Sequence, residues 1–311
     1  DTQGNHVFSN LGDRDAAESS YRHALEVAER IVAEHPANRR ARIAVVRSRM
    51  RLAEILDQAE RIIEIRRTRS GELRSERRAL LDRGLPEALE LMEEDPEDRA
   101  FFHDVQDLYI GLGELAKDES RFEDMRGHAQ AIHTLYAEGR LPSPLQAFLL
   151  EAWSYHYAQK WDMAVPAWTR VVNQSGGDLE ETDSPYPARF LHAQYLGNLS
   201  SCAARLDQDA VAITSLEKAV GMLEGLATQS PNDKRVRIQL HMQRVSLAYA
   251  YARHAKGEGA AERDAWLGKA RERLVAALEA RGPAENDTTI GKSLRKRLTS
   301  DIEKIDSALG E

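Results

Sequence analysis

The sequence predicts an all-α array of stacked helical hairpins, a right-handed α-solenoid, and three observations predict it. Pro36-Ala37-Asn38-Arg39-Arg40-Ala41-Arg42-Ile43 recurs 195 residues later as Pro231-Asn232-Asp233-Lys234-Arg235-Val236-Arg237-Ile238. The frame extends both ways: Ala17, Tyr21, Ala24, Arg49, Leu52 and Ala53 match Ala212, Leu216, Ala219, Arg244, Leu247 and Ala248, and a fainter copy opens at Pro96 and reaches Leu112-Gly113. Apolar residues recur at helical spacing, and no stretch shows strand-like alternation. The last segment, from Thr288, carries Ile290, Leu294, Leu298, Ile302, Ile305 and Leu309 on one face and Arg295, Lys296 and Arg297 on the other. Hairpin repeats cannot bury their apolar faces alone; they stack, and the last needs a polar-backed cap.

Taken in order, residues 1–10 read as an irregular lead-in. Asp13 or Asp15 can cap a first helix to Glu34, with Ala17, Tyr21, Ala24, Leu25, Ala28, Ile31 and Val32 as its stripe. Pro36 stops it, and Asn38 starts a long helix that continues past Ile65 until Ser70-Gly71. A helix over 75–82 follows, broken at Gly84 and Pro86, and a short one runs to Glu94. Helices are expected over 97–117, 122–137, 145–159 and 163–172, then 188–206, 209–229, 233–255 and 262–281. Residues 173–187 read as a long loop, functional or mobile. The array thus spans 1–287, in five or six hairpins, and the capping helix 288–311.

Composition excludes several classes. The 311 residues are 42% hydrophobic and 30% charged, as in a folded protein. The net charge of −8 argues against nucleic acid as a general partner. No apolar run approaches the ~20 residues a membrane span needs. Cys202 is alone in an apolar helical setting, which reads as an inert thiol and excludes an internal disulfide. The ten His are scattered without HExxH or His-x-His spacing; no metal, cofactor or catalytic residue is expected. His128 and His133 diverge on a helix. The opening at Asp1, without Met or signal-peptide pattern, reads as a piece of a longer polypeptide.

Phe148, Ala152, Tyr155, Ala164, Trp168 and Val171 occupy in order the packing positions of a tetratricopeptide unit, and Leu196, Leu199, Ser200, Ala203, Ala212, Leu216 and Ala219 do so again. The chain therefore resembles that family, with a stretched period: Ala164 to Ala212 is 48 residues against the usual ~34. A narrower resemblance is carried by Asn10-Leu11-Gly12-Asp13, Ala17, Tyr21, Ala24-Leu25-Glu26, Ala28-Glu29, Pro36 and Asn38. These look like the tetratricopeptide region of some bacterial serine/threonine protein kinases. That resemblance implies a non-catalytic sensor or interaction region, often periplasmic, in a membrane-anchored parent; a cytoplasmic location is the alternative. No kinase motif is present.

The resemblance also implies that first helices line a concave binding face. There the spacing places Gln146, Leu149, Trp153, His156 and Tyr157, then Gln194 and Arg205, then Tyr249 and Arg253. Trp161 and Trp168 read as packing between repeats; for Trp153 and Tyr157 packing and binding both stay open. The basic run 61–83 includes Arg66, Arg67, Arg69, Arg74, Arg77 and Arg78. It is a second candidate surface, although Glu residues at helical spacing favour a self-paired face. The expected partner is a protein or peptide, with homodimerisation possible. The competing expectation is a constitutive scaffold or self-association module unrelated to a kinase.

Overall fold

A computed structural model describes residues 14–60, 63–176, 186–280 and 289–310, the side chains of 14, 63–68 and 289–291 excepted. Among them the regular structure is helical throughout: α1 Arg14–Glu34, α2 Arg39–Glu60, α3 Ile63–Glu94, α4 Arg99–Asp118, α5 Phe122–Ala137, α6 Leu145–Tyr157, α7 Trp161–Ser175, α8 Tyr186–Arg205, α9 Asp209–Gln229, α10 Lys234–His254, α11 Ala260–Glu279 and α12 Thr289–Leu309. A short 3-10 turn, Ala255–Gly257, follows α10. The fold is all-α, a chain of tetratricopeptide-like helical hairpins ending in an amphipathic helix, and it divides into two compact units, Asp1–Ala158 and Gln159–Glu311. The predicted lead-in over 1–10, the middle of the predicted loop (177–185) and the side chains of Arg66 and Arg67 lie outside the described residues.

The three sequence copies fold alike. In His35–Asn38, Asp95–Asp98 and Ser230–Asp233 the fourth residue's N–H donates to the first residue's carbonyl, at 2.9, 3.2 and 3.0 Å, with Pro second in each turn. The last residue of each turn then caps the next helix: Ala41 N–H donates to Asn38 Oδ1, Phe101 N–H to Asp98 Oδ1, and Arg235 and Val236 N–H to Asp233 Oδ1. One ion pair repeats at the same offset, Arg49 to Glu29 and Arg244 to Glu224, both at 2.8 Å.

The turns inside hairpins use a different device. Ser120, Gln159 and Asp207 adopt positive φ of 59°, 57° and 55°. After Ser120 and Asp207, Arg121 N–H reaches Ala116 O and Gln208 N–H reaches Ala203 O, which closes the helix ends as Schellman motifs.

Between α2 and α4 the helices differ from the reading of the sequence. The long second helix ends at Glu60 instead of running on to Ser70-Gly71, and α3 passes unbroken through Gly71, Gly84 and Pro86. Tertiary packing outweighs local propensity here. Leu81, Ala88, Leu91 and Met92 join Val46, Met50, Phe101, Val105 and Leu108 in one core. Gly84 lets α3 and α4 close up, since a Cβ there would stand 3.3 Å from Leu108 Cδ2. The predicted loop 173–187 also shortens, because α7 continues to Ser175 and α8 begins at Tyr186. In α1, Ala17 and Ala28 are buried, but Ala24 is exposed where its counterpart Ala219 is fully buried. The reason is position: α9 packs between α8 and α10, whereas α1 packs on α2.

The second unit has its own core, built from Leu216, Leu223, Val236, Leu247 and Leu274, and α12 adds Leu298 and Ile305 to it. Trp168 is completely buried, as its packing reading required. Cys202 is buried, and burial pushes its thiol up to about 12, which leaves it protonated and inert.

Candidate functional site

The first helices of unit 1 run side by side. Gly113 on α4 meets Leu150 on α6, and further along both helices Lys117 lies by Tyr157, so the two helices are parallel. A Cβ at Gly113 would come within 2.7 Å of Leu150 Cδ2, so this glycine sets how closely they approach. On α4 the apolar residues Phe101, Val105, Leu108, Leu112 and Leu115 face the core. The opposite stripe, His103, Asp107, Ile110, Glu114 and Lys117, recurs at helical spacing; Lys117 lies by α6, whereas Asp107 stands near Arg51 and Glu54 of α2. On α6 the matching stripe is Gln146, Leu149, Trp153 and Tyr157.

Three aromatic side chains gather at the C-terminal end of α6. Trp153 and Tyr157 are stacked, with ring centroids 5.2 Å apart and 22° between planes, and His156 lies against both. Tyr157 is 44% exposed, whereas Trp153 is partly buried and rests on the core. Lys117 places Nζ 5.9 Å from the Tyr157 centroid while pairing with Glu114. The result is a rigid amphipathic platform with a cation beside it.

At the other end of the α4 stripe, charges are crowded. Arg47 pairs with Asp104 and Arg51 with Glu54, both at distances of 2.8–2.9 Å. Asp107 has no hydrogen bond or ion pair among the described residues. Burial, reinforced by Glu54 and offset in part by Arg51, pushes its carboxyl up to about 6.

In unit 2 the predicted face residues have other engagements. Tyr249 donates to Asp301 Oδ2 of α12 at 2.7 Å, and Arg297 lies over its ring. Arg253 is bound to Asp209 at the start of α9. Arg205 is exposed and lies 5.8 Å from the Trp161 ring, and Gln194, about three turns earlier on α8, is partly exposed. Tyr249 and Arg253 thus hold neighbouring helices together, and the unit-1 set remains the better-formed surface.

Four arginines of the basic run are paired with carboxylates. Arg69 meets Glu72, Arg74 meets Glu60, and Arg78 meets Glu119. Arg77, 2% exposed, meets Asp57, Glu60 and Asp118 and ties α2, α3 and α4 together. Burial works against the charge on Glu60, yet hydrogen bonds from Arg74 and Ser70 hold its carboxyl below the usual range. Reading single stripes missed Asp107, Glu114 and Lys117, although their spacing opposite Phe102, Val105 and Leu108 was the available signal.

Comparison with known proteins agrees with this architecture. A family model described as tetratricopeptide repeat matches residues 6–30. Among solved structures, the chain is similar to the crystal structure of BtubC (BKLC) from P. vanneervenii, at 15% identity and a TM-score of 0.57, covering 87% of this chain and 94% of that one. No curated protein matches. One repeat matched in sequence, with a helical-repeat neighbour over most of the length, supports a tetratricopeptide-like array of helical hairpins.

Proposed function

We propose that the chain is a non-catalytic binding module that takes up a segment of a partner protein on the α4–α6 face of unit 1. The observation that carries this reading is the stacked Trp153–Tyr157 pair on the first-helix stripe, with Tyr157 exposed. Rigid aromatic area of this kind supplies contact surface with little entropy to lose, and it is enriched at the centres of interfaces. Tetratricopeptide repeats generally mediate protein–protein interaction, which agrees with it. By the resemblance of residues 10–38, the module is the sensor or interaction region of a bacterial serine/threonine kinase, outside the cytoplasm, in a parent anchored in the membrane. Ligand binding would then act by favouring one association state of the kinase over another.

Capture from envelope and soluble fractions of the source cell tests the site, with wild type beside Trp153→Ala/Tyr157→Ala. A partner retained by wild type and lost by the double variant is the expected result; equal retention moves the site off this face. Sequencing the gene on both sides of the segment tests the kinase reading, which fails unless a kinase domain and a membrane segment precede it.

A specific observation favours a second reading, self-association in a scaffold. Ile238 and Met242, one turn apart on α10, are 47% and 55% exposed. Sedimentation that shows a dimer, dispersed by Met242→Glu, would support it over the sensor.

A further inference from the structure

We infer that the chain carries a second docking surface, on α8 and α10 of unit 2, for a partner segment that combines apolar side chains with Asp or Glu. This surface is separate from the α4–α6 face and does not depend on it.

Two helices that run side by side build it. The Tyr186 hydroxyl donates to Asp233 at the start of α10; eleven positions further, Gly197 lies against Gln243, ten positions past Asp233. The helices are therefore parallel, and Leu191 stands level with Ile238, each five positions beyond the first contact. Leu191, Ile238 and Met242 are 44%, 47% and 55% exposed. Seven large apolar side chains are exposed among the described residues, and three of them gather here within one helical turn of a common level. The sequence repeat shows that the position itself does not require this. Ile43, the counterpart of Ile238 on α2, is partly buried against the core of unit 1. The counterpart of Met242 is Arg47, which pairs with Asp104 of α4. Contiguous apolar area left in water where its twin is covered or charged is the mark of an interaction surface.

Charge selects the occupant. The 20 residues of α8 and the 21 of α10 contain no Asp or Glu, in a chain with 51 of them, and they carry seven Lys or Arg. Most of these cations are engaged. Arg235, Arg244 and Arg253 pair with Asp233, Glu224 and Asp209, all outside the two helices. Buried Arg189 bonds Gln229, and Arg237 is likewise engaged. Lys234, one turn before Ile238, and Arg205, at the end of α8, are exposed with no carboxylate among the described residues. Further along, Asp301 of α12 is taken by Tyr249 and Lys304. Two copies paired about a two-fold axis on this patch would set α10 against itself, cation toward cation, with no carboxylate on either helix in return. An acidic segment meets the same surface with opposite charge while its apolar side chains cover Leu191, Ile238 and Met242.

A random-peptide display library selected on the full chain tests the inference, with wild type beside Leu191→Ser/Met242→Ser, Lys234→Glu/Arg205→Glu and Trp153→Ala/Tyr157→Ala. Peptides that depend on Leu191 and Met242 should be net acidic and rich in Leu, Ile, Met or Phe. Resynthesised, they should bind Leu191→Ser/Met242→Ser about tenfold more weakly than wild type. They should bind Lys234→Glu/Arg205→Glu about fivefold more weakly at low salt, and Trp153→Ala/Tyr157→Ala as tightly as wild type. All the substituted unit-2 side chains are exposed, so thermal melts of those variants should overlay wild type, which separates lost binding from lost folding. If no enriched peptide depends on Leu191 and Met242, or if those that do are neutral or basic, the inference is overturned. Peptides that depend on Trp153 and Tyr157 alone would leave the α4–α6 site standing without this one. A wild-type dimer that Met242→Glu disperses makes the occupant a second copy and also overturns it.

Discussion

Along α3, Arg69, Arg74, Arg77 and Arg78 of the basic run each meet a carboxylate, and Arg77 meets three. On α4 and α6, with fewer charges, Asp107 has no cation bonded to it among the described residues, and Tyr157 keeps 44% of its surface in water. The first region has the composition of a binding patch and the bonding of a structural strut. The second has an ordinary composition and the bonding of a surface that is still incomplete. Pairing, and not the number of like charges, separates a docking face from a fastening.

That contrast can be broken most sharply at Arg77. Removing it by Arg77→Ala takes away the buried cation shared by Asp57, Glu60 and Asp118 and should cost about 3–5 kcal/mol in urea unfolding. In an Arg-face binding site it would instead weaken capture with little loss of stability. The Glu60 carboxyl is depressed from an ordinary 4.5, so the network's contribution is present above that pH. It should disappear as pH falls through the lower folded value.

Asp233→Ala should cost about 1–2 kcal/mol, because it removes the α10 cap and the acceptor of the Tyr186 hydroxyl, 2.5 Å away. Hydrogen bonds from Tyr186 and Arg235 hold Asp233 at about 2 against an ordinary 3.8. The difference between wild type and variant should therefore be full above pH 4 and close as pH approaches 2.

A smaller effect of opposite sign is expected at Asp107, whose carboxyl is raised from 3.8 to about 6. A raised acid opposes folding when ionised. Asp107→Asn should therefore stabilise unit 1 above pH 6, by less than about 1 kcal/mol at this partly exposed site, and lose its advantage below pH 4. Thermal melts across that range check it. Least of all, Glu72→Gln beside the exposed Arg69 should change stability by no more than about 0.5 kcal/mol.

Much of the fold was legible because the repeat is chemical as well as statistical. Pro36, Pro96 and Pro231 each shape the same turn, and Asn38, Asp98 and Asp233 each cap the helix after it. Glu29–Arg49 and Glu224–Arg244 repeat one ion pair at equal length. The misread stretch, 61–94, failed for a physical reason. Gly71, Gly84 and Pro86 are local helix breakers, but the α3 core contacts through Leu81, Ala88 and Leu91 override them. The hairpin turns at Ser120, Gln159 and Asp207 carried no glycine to announce their positive φ. The site was half legible. Helical spacing marked Trp153 and Tyr157, while the engagement of Tyr249 with Asp301 and the charged surroundings of Asp107 depend on neighbours that one helix's periodicity does not name.

The most direct measurement is site-specific photo-crosslinking in the source cell, with a benzophenone amino acid at Gln146 on the α6 stripe or at Arg78 on α3. A discrete adduct from position 146 and none from 78 is the result expected if the α4–α6 face receives the partner. An adduct from 78 with none from 146 would contradict it and return the basic run to the centre of the function.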